Sequence, residues 1–336
     1  MIKLYDKAIV IPPSFEILSD ELSLAQRIEL CGKVCYKAED NITESSAIGF
    51  IEKMVKHKHN STLEMGVASL KVNYLTIGGR WFFDEFYQTI PKYLVVDALG
   101  SGELLVTGSV RAFREIAIKY PNCEVVGAMA YTLASRHPYF FKDIDVYESK
   151  FVKAEKVSLE KIDQLEPELK ARHRFVAVRF VVNRAVTHEL VRHRPCALLQ
   201  ESQRYCRYSL GKFGSRVTFI KPIFFKEGSE AYALWEQSVL RAEADYLALL
   251  EMKDTNGDKY TAQAARTVLP NSCKTELIIY TSLEHWHHLF HMRAINPAAE
   301  PSMREIMIPV HAEFIRRFPN QNFDKPRRMP EGWVQK

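Results

Sequence analysis

The chain has 336 residues, 47% of them hydrophobic, with 14 glycines and 15 prolines, enough for one large globular domain or two modest ones. Its 46 basic and 41 acidic residues leave a formal net charge of +5, which suits anionic small molecules but falls short of the basic excess of a dedicated nucleic-acid binder. Six cysteines without a Cys-x-x-Cys pair exclude a disulfide scaffold, and no apolar run nears the roughly 18–20 residues of a membrane span; with no leader-like N-terminus, a cytoplasmic protein is expected.

In chain order, ELSLAQRIELCGKVCYKA and SSAIGFIEKMVKHK, within residues 20–57, predict two helices, the second from the spacing of Ile48, Ile51 and Val55. Cys31 and Cys35 lie one turn apart, and core packing is the expectation over redox chemistry. Val67 to Val72 reads as a strand. GELLVTGSVRAFREIAIKYP reads as a short strand, a Gly-Ser turn with Ser109 as N-cap, and a helix. The run Gly100-Ser101-Gly102 is too short for a phosphate loop and predicts a turn. Lys153 to Arg172 is charged and reads as a solvated helix or linker. Glu227 to Val268 is helical by pattern, TELIIYTS follows as a strand, and LEHWHHLFHMRA as a helix. On that last helix Leu283, Trp286 and Phe290 form an apolar stripe, with Glu284, His288 and His291 on another face. No internal repeat or low-complexity segment is present.

The segment from Arg174 to Tyr205 carries the most chemistry. RFVAVRFVV is β-branched and apolar enough for a largely buried strand. Asn183 then offers an N-cap for a short helix, NRAVTHELVRHR, that Pro195 ends by disfavouring helical geometry in the residue before it. If the chain continues extended, Gln200, Ser202 and Arg204 fall on one face, and Glu201, Gln203 and Tyr205 on the other. An amide, a hydroxyl and a guanidinium in one row suit a nucleotide, since Arg grips phosphate bidentately. A surface strand with ordinary polar alternation would show the same spacing.

Arg192-His193-Arg194, seven residues and then Ser202, within the context QESQRY, resembles the signature of the flavin-dependent thymidylate synthases. Three further blocks in the same order are similar to that family: His59-Asn60-Ser61-Thr62-Leu63-Glu64, AARTVLP with Arg266, and His291-Met292-Arg293-Ala294. The resemblance implies an α+β fold, a central mainly antiparallel sheet flanked by helices. It also implies a single domain over residues 1–336, with an insertion at about 74–172 between two core elements. It implies conversion of dUMP to dTMP, with FAD reduced by NADPH, methylenetetrahydrofolate as one-carbon donor, and a homotetramer with shared active sites. No covalent adduct with the enzyme is implied, so positioning and electrostatics are left to the protein.

Carried over residue by residue, the resemblance assigns Arg192, His193, Arg194, Pro195, His59, Ser61, Gln200, Ser282 and His288 to FAD. Glu189, Arg192, Gln200, Glu201, Ser202, Arg204, Arg266 and Arg293 fall to dUMP, with Arg204 at the phosphate. Arg293 is the implied catalytic residue: a guanidinium beside the pyrimidine favours ionisation at N3 and makes C5 more nucleophilic. The chain departs from common family residues at Met65, Glu189, Ala197, Leu199, Glu284 and Glu300.

Three rival chemistries have a footing in the sequence. His287 and His291 are four apart, as zinc ligands on a helix can be, but lack a clear third ligand, and no metal is expected. His188-Glu189 followed by His193 is not a metalloprotease motif, because i+5 places the second His about 140° around the helix. Cys196 after Pro195 could suggest a cysteine nucleophile, for which a small buried thiol is the plainer account. Beyond these, Arg192, Arg194, Arg204, Arg207, Tyr205 and Tyr208 could form a single-stranded nucleic-acid surface, although no nucleic acid or membrane partner is expected. A flavoenzyme making another C5 modification of a deoxypyrimidine nucleotide is the remaining alternative.

Overall fold

A computed structural model describes residues 5–35, 41–74, 86–87, 93–100, 102–211 and 214–325. Their architecture is α+β, with two four-stranded antiparallel sheets and a small parallel pair.

The first sheet has the order β2-β7-β10-β8, built from Ser14–Ile17, Phe175–Asn183, Lys274–Ser282 and Ala197–Gln200. Its two long strands, β7 and β10, pair from Phe175↔Ser282 to Asn183↔Lys274. Both are apolar on both faces. Val176, Val178, Phe180, Leu277 and Ile279 enter one cluster, with Trp286, Phe290 and Phe314, while Ala177, Ile278 and Tyr280 enter another. Two-sided burial accounts for the near-continuous hydrophobic run that made these strands legible.

The second sheet has the order β4-β5-β3-β6, built from Leu94–Gly100, Glu103–Ser109, Val67–Asn73 and Lys153–Val157. Here the faces differ, as period-2 alternation requires. Ala68, Leu70, Val72, Leu104 and Val106 point into the core, whereas Lys71 pairs with Glu103 and Glu155 on the other side. Three of its strands come from the expected insertion and hydrogen-bond, directly or through β5, to β3 from outside it. The apolar cluster behind them is continuous with Ala177, Leu199, Ile278 and Tyr280 of the first sheet.

Helices close the layers. α1 (Leu24–Val34) starts at a capping box: the Ser23 hydroxyl accepts from the Gln26 N–H at 3.2 Å, and the Gln26 amide oxygen accepts from the Ser23 N–H at 3.1 Å. α2 (Glu44–Lys56) packs on α1. β5 runs straight into α3 (Val110–Lys119), whose N-cap is Ser109 as expected. The Gly-Ser turn is not formed, because Gly108 is still paired with Ala68 and Leu94, and a Cβ there would lie 2.2 Å from the Leu94 side chain. Of the turn expected at residues 100–102, Ser101 lies outside the described residues, while Gly100 and Gly102 adopt φ 82° and 78°, as a glycine turn requires. α4 (Glu124–Arg136) packs on β6.

The charged stretch from Lys153 departs from the helix-or-linker expectation. It begins as edge strand β6 and continues as short helices α5 (Leu159–Asp163) and α6 (Pro167–His173). Glu155 pairs across to Lys71, and this outward charge hid the strand. α7 (Arg184–Leu190) follows β7, with the Asn183 side chain accepting from Val186 N–H at 2.9 Å. A parallel pair joins β1 (Ile9–Ile11) to β9 (Thr218–Ile220).

The expected helix from Glu227 to Val268 is α8 (Glu230–Glu251) and then a break, because the Asp254 side chain accepts from the N–H groups of Asn256 and Asp258 and turns the chain. α9 (Ala262–Ala265) and a 3₁₀ turn (Arg266–Val268) follow. α10 (Leu283–Phe290) buries Leu283, Trp286 and Phe290 completely, passes into a π-helical turn at His291–Ile295, and α11 (Pro301–Arg317) covers it. Among the described residues no helix is long and apolar enough to cross a membrane.

Candidate active site

The signature segment links α7 to β8. α7 stops at Leu190, four residues short of the expected end, because the N–H groups of Arg192 and His193 bond to the carbonyls of Glu189 and Leu190, three residues back. This tighter turn precedes a cis Arg194–Pro195 bond. The Thr281 hydroxyl of β10 donates to the Pro195 carbonyl at 3.1 Å and fixes the turn to the sheet. His193 is buried, while Arg192 and Arg194 on either side are exposed.

Arg293 reaches this turn from the π-helical segment after α10. Its Nε donates to His193 Nε2 at 2.9 Å, and its Nη1 to Glu189 Oε2 at 2.6 Å. A guanidinium has only donors, so His193 Nε2 must be an acceptor: the ring is neutral, with its proton on Nδ1. Burial, then the Arg293 charge, pushes the His193 pKa down to about 4, which favours the same state. The His288 ring stands 5.8 Å from that of His193, and His285 5.6 Å from His288. Burial brings His285 down to about 3 and also lowers His288. The result is a fixed cation beside neutral imidazoles, with Glu189 as its counter-charge. Nη2 of Arg293 remains available as a donor to a ligand oxygen.

The row expected from Gln200, Ser202 and Arg204 does not run along one strand. β8 ends at Gln200, and the Ser202 carbonyl accepts from the N–H groups of Tyr205 and Cys206, closing a turn. The Gln200 amide donates to Thr187 at 3.0 Å and Thr275 at 3.3 Å. Ser202 N–H bonds to the Cys35 carbonyl at 3.1 Å. Arg204 is exposed and donates to Gln263 of α9 at 2.9 Å, which brings it toward Arg266, three residues after Gln263. Glu201 is buried, accepting from Tyr208 at 2.8 Å and Lys274 at 2.9 Å, so its carboxylate is committed inside the protein.

Over residues 133–320, more than half its length, the chain matches the family described as thymidylate synthase complementing protein. The chain belongs to that family. It is similar to the flavin-dependent thymidylate synthases of Mycobacteroides abscessus (32% identical over 136 residues, 38% of this chain and 52% of the relative) and Pyrococcus furiosus (30% over 135 residues, 40% and 52%). That of Mycobacterium tuberculosis is 32% identical over 136 residues, again 38% of this chain and 52% of the relative. The chain thus spans about half the length of the curated relatives it matches.

Within this member of the thymidylate synthase complementing protein family, Arg192 to Pro195, Glu189, His288 and Arg293 come together, and Gln200 joins them through Thr187 of α7. His59 and Ser61 lie exposed ahead of the 3₁₀ turn Thr62–Met65, which packs on β8. Among the described residues they make no side-chain hydrogen bond to the Arg192–Pro195 turn. Ser282 is buried as the N-cap of α10, accepting from His285 N–H at 3.3 Å. Thr187, which holds Gln200, and Gln263, which holds Arg204, are positioning groups that sequence reasoning missed. Gln263 carried a faint signal, one turn before Arg266.

The family departures have local accounts. Met65 and Leu199 are buried in the core and Ala197 packs against it, so these positions serve packing. Glu300 caps α11, accepting from Met303 N–H at 2.8 Å. Burial raises the Cys196 thiol to about 12, which leaves it protonated and a poor nucleophile at neutral pH. His287 is turned toward the Asn322 carbonyl at 3.3 Å, and among the described residues no group of three or more His, Cys, Asp or Glu side chains could hold a metal ion.

Proposed function

We propose that this chain methylates dUMP to dTMP, with methylenetetrahydrofolate as carbon donor and FAD, reduced by NADPH, as source of reducing equivalents. The observation that carries this is the Arg293 guanidinium held between neutral His193 and Glu189 beside the signature turn. In a partly desolvated site such a cation stabilises negative charge more strongly than it would in water.

The donor chemistry fits a dinucleotide flavin. Arg192 and Arg194 are exposed without a carboxylate partner among the described residues, as pyrophosphate ligands must be. Bound there, the flavin would supply the hydride that completes the methyl group. His193, Pro195, His288, Gln200, Ser282, His59 and Ser61 complete the proposed flavin set. For the nucleotide, Arg204 and Arg266 would hold the phosphate, with Ser202, Gln200 and Arg192 beside the sugar and base. Arg293 Nη2 would meet the pyrimidine and favour ionisation at N3. Glu189 is a positioning residue that holds Arg293, and Glu201, tied to Lys274 and Tyr208, positions the loop.

A homotetramer with shared sites belongs to the same proposal. The exposed His59 and Ser61 are free to serve a neighbouring chain's signature turn. We also treat residues 1–336 as one domain with an elaboration at about 74–172, supported by the apolar cluster common to both sheets, and as a cytoplasmic enzyme. Purified protein mixed with FAD should give a flavin absorption band that bleaches with NADPH and shifts on addition of dUMP. Protein that takes up no FAD would contradict the proposal.

A further inference from the structure

The β2-β7-β10-β8 sheet has two differently occupied faces. Leu277 and Ile279 face the side of α7 and α10, where Arg293, His193 and His288 meet, whereas Ala177, Ile278 and Tyr280 face the second sheet. On this second side a cavity of ≈ 390 Å³ lies against Tyr280, between elements of both sheets, and none of its lining residues belongs to the signature turn.

Its charge is one-sided. Four basic side chains line it, Arg27 from α1, Arg136 from α4, Lys156 from β6 and Arg174 before β7, against one carboxylate, Asp20. That carboxylate is already shared, since it pairs with Arg174 and lies 3.6 Å from Arg27 Nη2. Arg136 and Lys156 have no carboxylate partner among the described residues, and Lys156 Nζ stands 3.5 Å from His137 Nε2.

A second observation points to a ligand. The Arg27 side chain is only 7% exposed, and while its Nη2 donates to the Ser19 carbonyl at 2.9 Å, its Nη1 is buried with no hydrogen-bond partner. Buried guanidinium N–H groups are nearly always satisfied, and this one, on a guanidinium lying 5.2 Å over the Tyr280 ring at the cavity wall, is left without an acceptor.

We propose that this cavity binds a phosphoryl group, as the free ion or as a phosphate monoester, at a site separate from the signature turn. Arg136 and Lys156, which no described carboxylate neutralises, with Arg27 and Arg174 sharing Asp20 beside them, match the several oxygens and the double charge of a phosphoryl group better than the single charge of a carboxylate. Binding would also relieve the crowding of Lys156, whose pKa is lowered by burial and then by Arg136. The inference does not depend on the catalytic proposal, because it is read out by binding alone.

Calorimetric titration of the full chain with inorganic phosphate tests it, in an R204Q/R266Q background that removes the two cations proposed to hold the nucleotide's phosphate. Saturable binding is expected there. Adding R136Q/K156Q, both at solvent-accessible positions, should weaken it at least about tenfold, with the melting temperature recording that the fold is kept. A phosphate monoester without a base, glycerol phosphate, binding more tightly than phosphate and weakened by R136Q/K156Q would identify an ester as the occupant, and equal affinities the free ion; either supports the site. Absence of binding in the R204Q/R266Q background, affinity unchanged by R136Q/K156Q, or succinate binding as tightly as phosphate would overturn it.

Discussion

The two four-stranded sheets solve different problems with the same antiparallel geometry. The β2-β7-β10-β8 sheet is packed on both faces, so its strands are held along their length, and the groups at their ends inherit that rigidity. The signature turn enters β8, and Ser282 at the end of β10 caps the helix that leads to Arg293. The β4-β5-β3-β6 sheet turns its apolar face to the core and carries charge pairs and a Thr107–His173–Asp97 hydrogen-bond chain on the other. Apolar packing on both faces holds the elements of a site in place, whereas the polar face of the second sheet leaves groups beside which a cavity can form.

The largest expected effect separates the sheets by stability. Phe180→Ala, fully buried in the first sheet, should cost about 3–5 kcal/mol, and Val96→Ala, half-buried in the second, less than about 1.5 kcal/mol, both from urea denaturation. Equal losses would erase the distinction.

Acid should act next, through the helix face of the first sheet. His193 and His285 titrate near 4 and 3 in the fold, against an ordinary value of 6.5, so the unfolded chain takes up protons first as pH falls. Stability is then full above about pH 6.5 and lost toward pH 4, by up to about 3 kcal/mol for each of the two histidines. The urea midpoint of His285→Gln should fall less steeply over that range than the wild type's; identical slopes would remove His285 from the account.

The smallest effect belongs to the outer face of the second sheet. Lys71→Gln breaks its pairs with Glu103 and Glu155, at 3.1 and 3.3 Å, yet should leave stability almost unchanged, because these are exposed ion pairs. A loss of several kcal/mol in thermal unfolding would show that face to be structurally critical.

The same contrast governs what could be read from the sequence. β7 and β10 were legible to within a residue or so because burial on both faces leaves an uninterrupted apolar run. β6 was not, since Lys153 and Glu155 alternate outward and imitate a solvated helix. The α+β class and the grouping of the signature turn with Arg293 followed from the four family-like blocks. The Arg293–His193 contact, 100 residues apart in the chain, has no local signal. Nor has the turn at Ser202, which is fixed by a bond to Cys35 far upstream. The cavity was invisible for the same reason: α1, α4, β6 and the start of β7 each give it one cation, and no segment holds two in a recognisable pattern.

The most direct test of the account is turnover of the FAD-loaded enzyme with dUMP, methylenetetrahydrofolate and NADPH, comparing wild type with Arg293→Gln. The expected result is dTMP from the wild type and a kcat lower by about 10²–10³-fold in Arg293→Gln, with FAD content retained and the fold intact. Undiminished dTMP formation by Arg293→Gln, or none from a wild type that binds both FAD and dUMP, would contradict it.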